Sequence, residues 1–170
     1  MAGDSRPDGV TPALHVRRAI SSDLRSVVDL RLALLREHPE HPVYGRLHGD
    51  VEARAREIFA SQLKADGEAI FLACMDSTAV GIIRCVEMIG SPLLEPARYA
   101  YVSSAYVRPA FRRQGVLRAL LATAERWSRE RGLDQMRLHN VAGSPGAEGA
   151  WSALGFSVVE QVRVRMLTHA

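Results

Sequence analysis

The segment VRPAFRRQGVLRALL, from Val107 to Leu121, constrains the fold more than any other stretch of the chain. Ahead of it, Tyr99 to Val107 is rich in tyrosine and valine, a strand composition, and Pro109 ends the run. Behind it, Val116, Leu117, Leu120, Leu121, Ala124 and Trp127 recur at helical spacing. A strand therefore passes through a short basic turn into a helix from about Gly115 to Arg131, which Gly132 stops. The start of a helix offers free N–H groups and partial positive charge. Gly115 has no Cβ to hold a ligand off the backbone, and Arg108, Arg112, Arg113 and Arg118 surround the turn. Such a turn suits a pyrophosphate. It also fits a basic loop that merely caps a surface helix. The spacings of the nucleotide P-loop and of the GxGxxG dinucleotide loop are both absent.

The rest of the chain supplies the sheet and its cover. Leu14 to Arg17 reads as a strand. Ser21-Ser22-Asp23 reads as a capped helix start, followed by Leu24, Val27, Val28, Leu34 and Leu35 at helical spacing and stopped before Pro39. After a loop from His38 to Gly49, a second helix covers about Asp50 to Lys64. Ala69 to Met75 and Val80 to Met88 form a hairpin around Asp76-Ser77-Thr78. A strand at Gln135 to Val141, a short helix at about Pro145 to Leu154 and one or two strands within Phe156 to Leu167 complete the order βααβββαβαβ. This predicts one mixed α/β domain, a mostly antiparallel sheet with helices on its faces.

Composition narrows the function classes. The chain has 170 residues, 47% of them hydrophobic, which is one globular domain's worth. Met1 to Pro12 reads as a loose tail, leaving a domain over 13–170. No apolar run approaches the ~20 residues of a membrane span, and no charged-then-apolar leader opens the sequence, so a cytoplasmic protein is expected. A net charge of +3 without basic runs interleaved by aromatics gives no nucleic-acid footprint. Cys74 and Cys85 fall about four positions out of register across the hairpin, roughly 13 Å apart at strand spacing, so they are expected as buried free thiols.

Arg112-Arg113-Gln114-Gly115-Val116-Leu117 resembles the acyl-CoA motif Q/R-x-x-G-x-G/A of the GNAT N-acetyltransferases, and both its flanks agree. Leu138-His139-Asn140, then Ser144, Ala147, Trp151, Gly155 and Phe156, match the family's C-terminal pattern. The resemblance covers nearly the whole chain. It implies the GNAT fold, with a splayed strand pair in its sheet, and acetyl transfer from acetyl-CoA to an amine by direct attack in a ternary complex. Acetyl-CoA serves as cosubstrate and no metal takes part. It implies that backbone N–H groups of Arg113 to Arg118 hold the pyrophosphate, with Arg112, Gln114, Val116 and Leu117 in the same motif. Ala105, Tyr106 and Val107 would pair with the pantetheine arm, and the Ala105 N–H would polarise the acetyl carbonyl. Homodimers formed through the last strands are common in such proteins.

Three positions depart from the family pattern. Leu117 replaces a small residue, and its periodicity with Leu120, Leu121 and Ala124 places it in the core. Ser144 replaces an asparagine; it either contacts the cofactor or caps the helix that Pro145 opens. Trp151 stands where many relatives carry a tyrosine that protonates the departing thiolate, and an indole cannot do that. Packing against the cofactor tail or the core remains for it. The departures leave room for a rival, an acyl-CoA-binding sensor without turnover.

An ammonium must lose a proton before it attacks. His139, on the splayed strand, is a candidate base, since an imidazole ordinarily titrates at about 6.5. Tyr101 and Tyr106 are candidates to donate a proton or line the pocket, and Glu87 to bind the amine; each also fits a structural role. His38, His41 and His48 lie in a proline-rich loop without a nearby cysteine, a poor metal pattern, and are better placed to meet the acceptor.

Overall fold

The computed structural model describes residues 13–167, so the expected tail at 1–12 lies outside the described residues. Five strands, β1 (Leu14–Arg18), β2 (Glu68–Met75), β3 (Thr78–Ile89), β4 (Arg98–Val107) and β5 (Met136–Leu138), form one sheet in the order β1-β2-β3-β4-β5. Neighbours are antiparallel except β4 and β5, which are parallel. Four α-helices accompany them: α1 (Leu24–Arg36), α2 (Val51–Gln62), α3 (Val116–Glu130) and α4 (Pro145–Ala153). No helix among the described residues is long and apolar enough to cross a membrane.

The strand pleat divides the core in two. Ala69, Phe71 and Ala73 of β2 pack with Val116, Leu120, Leu121, Ala124 and Trp127 of α3. Ile70, Leu72 and Cys74 of the same strand pack with Val27, Val28 and Leu30 of α1 and with Ala55 and Phe59 of α2. A strand covered on both faces reads as an unbroken apolar run, which is why β2 shows no polar alternation. Leu120 is fully buried, and its truncation to alanine removes about 2–5 kcal/mol by the usual cavity rule.

Cys74 belongs to the α1 side of the sheet and Cys85 to the α3 side, and both are free and buried. The hairpin closes on Asp76-Ser77 with Met75 opposite Thr78; Asp76 takes a positive φ of 53°. The start of α1 differs from expectation in its cap. The Asp23 carboxylate accepts the Ile20 N–H at 2.8 Å and grips Arg17 at 2.7 and 2.8 Å, while neither serine hydroxyl caps the helix.

Two predicted strands are corrected. The strand expected over Gln135 to Val141 is paired only at Met136–Leu138. The segment Phe156 to Leu167 forms no strand, and Val158, Val159, Val162, Val164, Met166 and Leu167 are exposed. Strand composition is a preference for a pleated, half-buried surface. Within the described residues no neighbouring strand offers this segment such a surface.

Candidate active site

The end of β4 departs from regular pairing. Ile82 pairs with Tyr106 and Arg84 with Ser103, so Ile83 faces both Ser104 and Ala105: a bulge. Ser104 takes a left-handed φ of 54° to make it. The bulge switches the strand's parity. Ala100 and Val102 face α3, and beyond the bulge it is Val107 that faces α3 while Tyr106 faces α1.

On its other edge β4 meets β5 only at Ala100, Tyr101 and Val102. Among the described residues the edge from Ser103 to Val107 is left without a partner strand, the splay that the family resemblance implied. Ala105 lies in that open stretch. Its strand leads directly into the basic turn.

The turn is shaped by two left-handed residues, Arg113 with φ 60° and Gly115 with φ 81°. Residues alternating in this way turn successive N–H groups toward one concavity, a shape that receives anions. The first α3 hydrogen bond runs from the Ala119 N–H to the Gly115 carbonyl, at 3.0 Å. The N–H groups of Val116, Leu117 and Arg118 therefore lie ahead of the helical ladder, and no side chain caps them. A Cβ built on Gly115 would meet no atom within 4 Å, so the space above the turn is open. Arg113, Gln114 and Arg118 are exposed around it.

Not every predicted residue takes the role expected. Arg112 is engaged elsewhere: its Nε donates to the Val107 carbonyl at 2.9 Å, its guanidinium pairs with Glu37, and it lies over the Tyr106 ring at 5.6 Å. Val116 is buried and Leu117 packs against the α3 core, so both offer backbone only. Tyr106 is 7% exposed, in the α1-side core. Ser144 occupies the cap position of α4, and its carbonyl accepts the Glu148 N–H at 3.0 Å. Its hydroxyl makes no cap bond, so the capping role expected of that hydroxyl is not seen. Trp151 packs edge-on against Phe156, ring centres 5.4 Å apart. Glu87 is held by Arg98 at 2.6 Å and Arg131 at 3.0 Å; Arg131 first and then Arg98 hold its carboxyl below the ordinary range. It ties β3, β4 and the end of α3 together. His41 accepts the N–H groups of Val43 and Tyr44 at its Nδ1, at 3.2 and 3.1 Å, ordering its loop.

Tyr101 and His139 are brought together. The Tyr101 hydroxyl lies 2.9 Å from His139 Nδ1, with the rings edge to face at 5.5 Å. Burial holds the Tyr101 phenol above its ordinary pKa, so at neutral pH it keeps its proton. His139 follows directly after β5 and is exposed.

Sequence reasoning missed the polar group on the α1 side of the sheet. Arg84 donates to Glu68 at 2.5 Å and to the Ser103 hydroxyl at 3.2 Å. Arg31 of α1 is within electrostatic reach of Tyr44, Arg84 and Tyr101. A signal was present: Arg31 interrupts the apolar stripe of α1. A separate cleft, lined by residues including Glu125, Arg129, Met136 and Phe156, lies at the far end of α3 and contains no residue of the basic turn.

The architecture recurs among known proteins. Over 158 residues the chain is 28% identical to an aminoglycoside N(6')-acetyltransferase type 1 of Stenotrophomonas maltophilia, covering 90% of this chain and 92% of that one. The enzyme of the same description from Salmonella typhimurium is 29% identical over 59% of this chain and 70% of its own length. Among solved structures, AAC(6')-Iy with a CoA-linked bisubstrate analogue superposes with a TM-score of 0.72 at 23% identity, over 92% of this chain and 99% of that chain. An acetyl-CoA-bound predicted acetyltransferase from Clostridium acetobutylicum gives 0.72 at 16% identity, over 90% of this chain and 96% of that chain. The profile of the acetyltransferase (GNAT) family matches residues 30–156, from within α1 through the bulge and the basic turn to Phe156. The chain belongs to the GNAT acetyltransferase family.

Proposed function

We propose that residues 13–170 act as one acetyl-CoA-dependent N-acetyltransferase domain, delivering the acetyl group to a primary amine of a small molecule or peptide by direct attack in a ternary complex. The observation that carries this reading is the open β4 edge from Ser103 to Val107, running without interruption into a turn of uncapped N–H groups. An extended arm ending in a pyrophosphate matches both parts. The open space above Gly115 leaves room for the phosphates.

Bound there, acetyl-CoA would supply a thioester whose carbonyl carbon an amine attacks and whose thiolate departs. The N–H groups of Arg113 to Arg118 would hold the phosphates, with the exposed Arg113 and Arg118 guanidiniums adding charge. The backbone of Ala105 to Val107 would line the arm. The Ala105 N–H would donate to the carbonyl oxygen as charge gathers on it, a contribution of about 3 kcal/mol when well aimed. The Ser144 hydroxyl, free of capping, is available to the same ligand. Tyr101 and His139 would form a two-step proton relay. The Tyr101 oxygen takes a proton from the amine as its own proton passes to His139 Nδ1. Direct attack fits the thiols as well: Cys74 and Cys85 are buried, and burial raises the pKa of both, so neither is a ready acyl carrier.

Isothermal titration with acetyl-CoA and with free CoA, beside Gly115→Trp, tests the reading. Binding by the wild type that is lost in the folded variant is expected, and thiol release in an amine screen should follow. No binding by the folded wild type would overturn it.

A further inference from the structure

Helix α1 carries a charge on the stripe that packs against the sheet. Arg31 follows Val27 and Val28 by four and three residues, and both valines are fully buried. Arg31 itself is half-buried. Tyr44 from the loop after α1, Tyr101 of β4 and Arg84 of β3 are within electrostatic reach of it. Strand parity puts Arg84, two residues from Ile82, on the α1 side, and Glu68, two residues from Ile70, beside it.

The charges of this face do not balance. Glu68, the carboxylate beside Arg84, is already taken by it at 2.5 Å, and Asp23 is held by Arg17 at 2.7 Å. The acids of α1 itself are also occupied: Asp29 lies 4.0 Å from Arg25, and Glu37 pairs with Arg112. Among the described residues Arg31 has no ion-pair partner. A guanidinium does not escape burial by losing its proton at working pH. Half-buried and without an ion-pair partner, it is a charge left open to a partner from outside the chain.

We propose that Arg31 receives a carboxylate of the acceptor, so that the acceptor is an amine that also carries a carboxylate, such as an amino acid or a peptide with a free C-terminus. The proposal rests on the acetyltransferase reading above. The guanidinium fork matches a carboxylate through two parallel hydrogen bonds. Tyr101, between Ala100 and Val102 of the α3 side, stands on the α1 side of β4 and pairs with His139, so a carboxylate on Arg31 would hold the acceptor on the face of the proton relay. Aminoglycosides, for which the relatives are named, carry several amines and no carboxylate, and the unpaired Arg31 guanidinium would repel them.

The test begins with calorimetric binding of acetyl-CoA to the wild type, Arg31→Gln and Arg31→Lys. Thiol release is then followed with three acceptors: a dipeptide mixture with free C-termini, the same mixture as C-terminal amides, and an aminoglycoside. The free acids are expected to exceed the amides roughly tenfold to a hundredfold in kcat/KM. Arg31→Gln should erase that preference mainly through KM while still binding acetyl-CoA, and Arg31→Lys should restore part of it. Equal or faster turnover of the amides or the aminoglycoside overturns the proposal, as does a preference unchanged in Arg31→Gln. Wild-type protein that binds acetyl-CoA but turns over none of the three also overturns it. Failure to bind acetyl-CoA would overturn the cosubstrate reading instead.

Discussion

The Tyr101 hydroxyl and His139 Nδ1 stand 2.9 Å apart although 38 residues separate them in sequence. The short parallel pairing of β4 with β5 makes the contact, since Tyr101 lies opposite Arg137 and His139 is two residues on. If the two act as one relay, removing either removes both. Tyr101→Phe and His139→Gln are each expected to lower kcat by about 10²-fold, and the double variant by little more than either single one. Steady-state rates at saturating acetyl-CoA check this. Losses that multiply in the double variant would show two independent roles.

Ser104 is a non-glycine residue at a positive φ inside a strand, and the bulge depends on it. A β-branched side chain is strained there. Ser104→Val should cost about 1–2 kcal/mol of stability. It should also lower kcat/KM by more than the lost stability explains, because the bulge aims the neighbouring Ala105 N–H. Thermal melts beside kinetics separate the two effects. A fully stable, fully active Ser104→Val would show that the bulge is indifferent to its residue.

Much of this architecture could be read in advance, and the failures share a cause. Ala69 to Met75 announced a strand of a hairpin, and the period from Val116 to Trp127 announced the α3 core face. Periodicity reports which face a residue takes, not which strand lies beside it. The Tyr101–His139 contact, the pairing of Glu68 with Arg84 and the length of β5 all depend on strand neighbours, so they became visible only in the fold. The run from Phe156 to Leu167 has strand composition without a strand partner, and composition alone could not reveal that. Arg112 sat in the expected motif, yet its direction was decided by Glu37, 75 residues away.

Arg112 and Arg113 are adjacent but should respond differently to substitution. Arg112 joins the end of β4 to the end of α1 through Val107 and Glu37, whereas Arg113 is exposed on the turn. Arg112→Ala is expected to lose about 1–2 kcal/mol of stability, allowing for the partial exposure of its ion pair. Arg113→Ala should leave the melting temperature unchanged and weaken acetyl-CoA binding about 3- to 10-fold, with the difference shrinking at high salt. The reverse pattern would mean that Arg112 faces the phosphates in solution.

Asp23 anchors the start of the helix that carries Arg31, and its contribution should depend on pH. The bonds from Arg17, first among its influences, hold the Asp23 carboxyl below its ordinary pKa, about 3.9. A carboxyl held low in the folded state stabilises above its unfolded value, and that stabilisation is lost as pH falls through the folded value. Asp23→Asn keeps an oxygen for the Ile20 N–H but removes the charge and one of the two acceptors that Arg17 uses. The variant should be less stable by about 1 kcal/mol at pH 7, discounted because Arg17 is 44% exposed. Urea unfolding at pH 7 and at pH 3 should show the gap narrowing at the lower pH. An equal gap at both would place the contribution in the shape of the helix start and not in the ion pair.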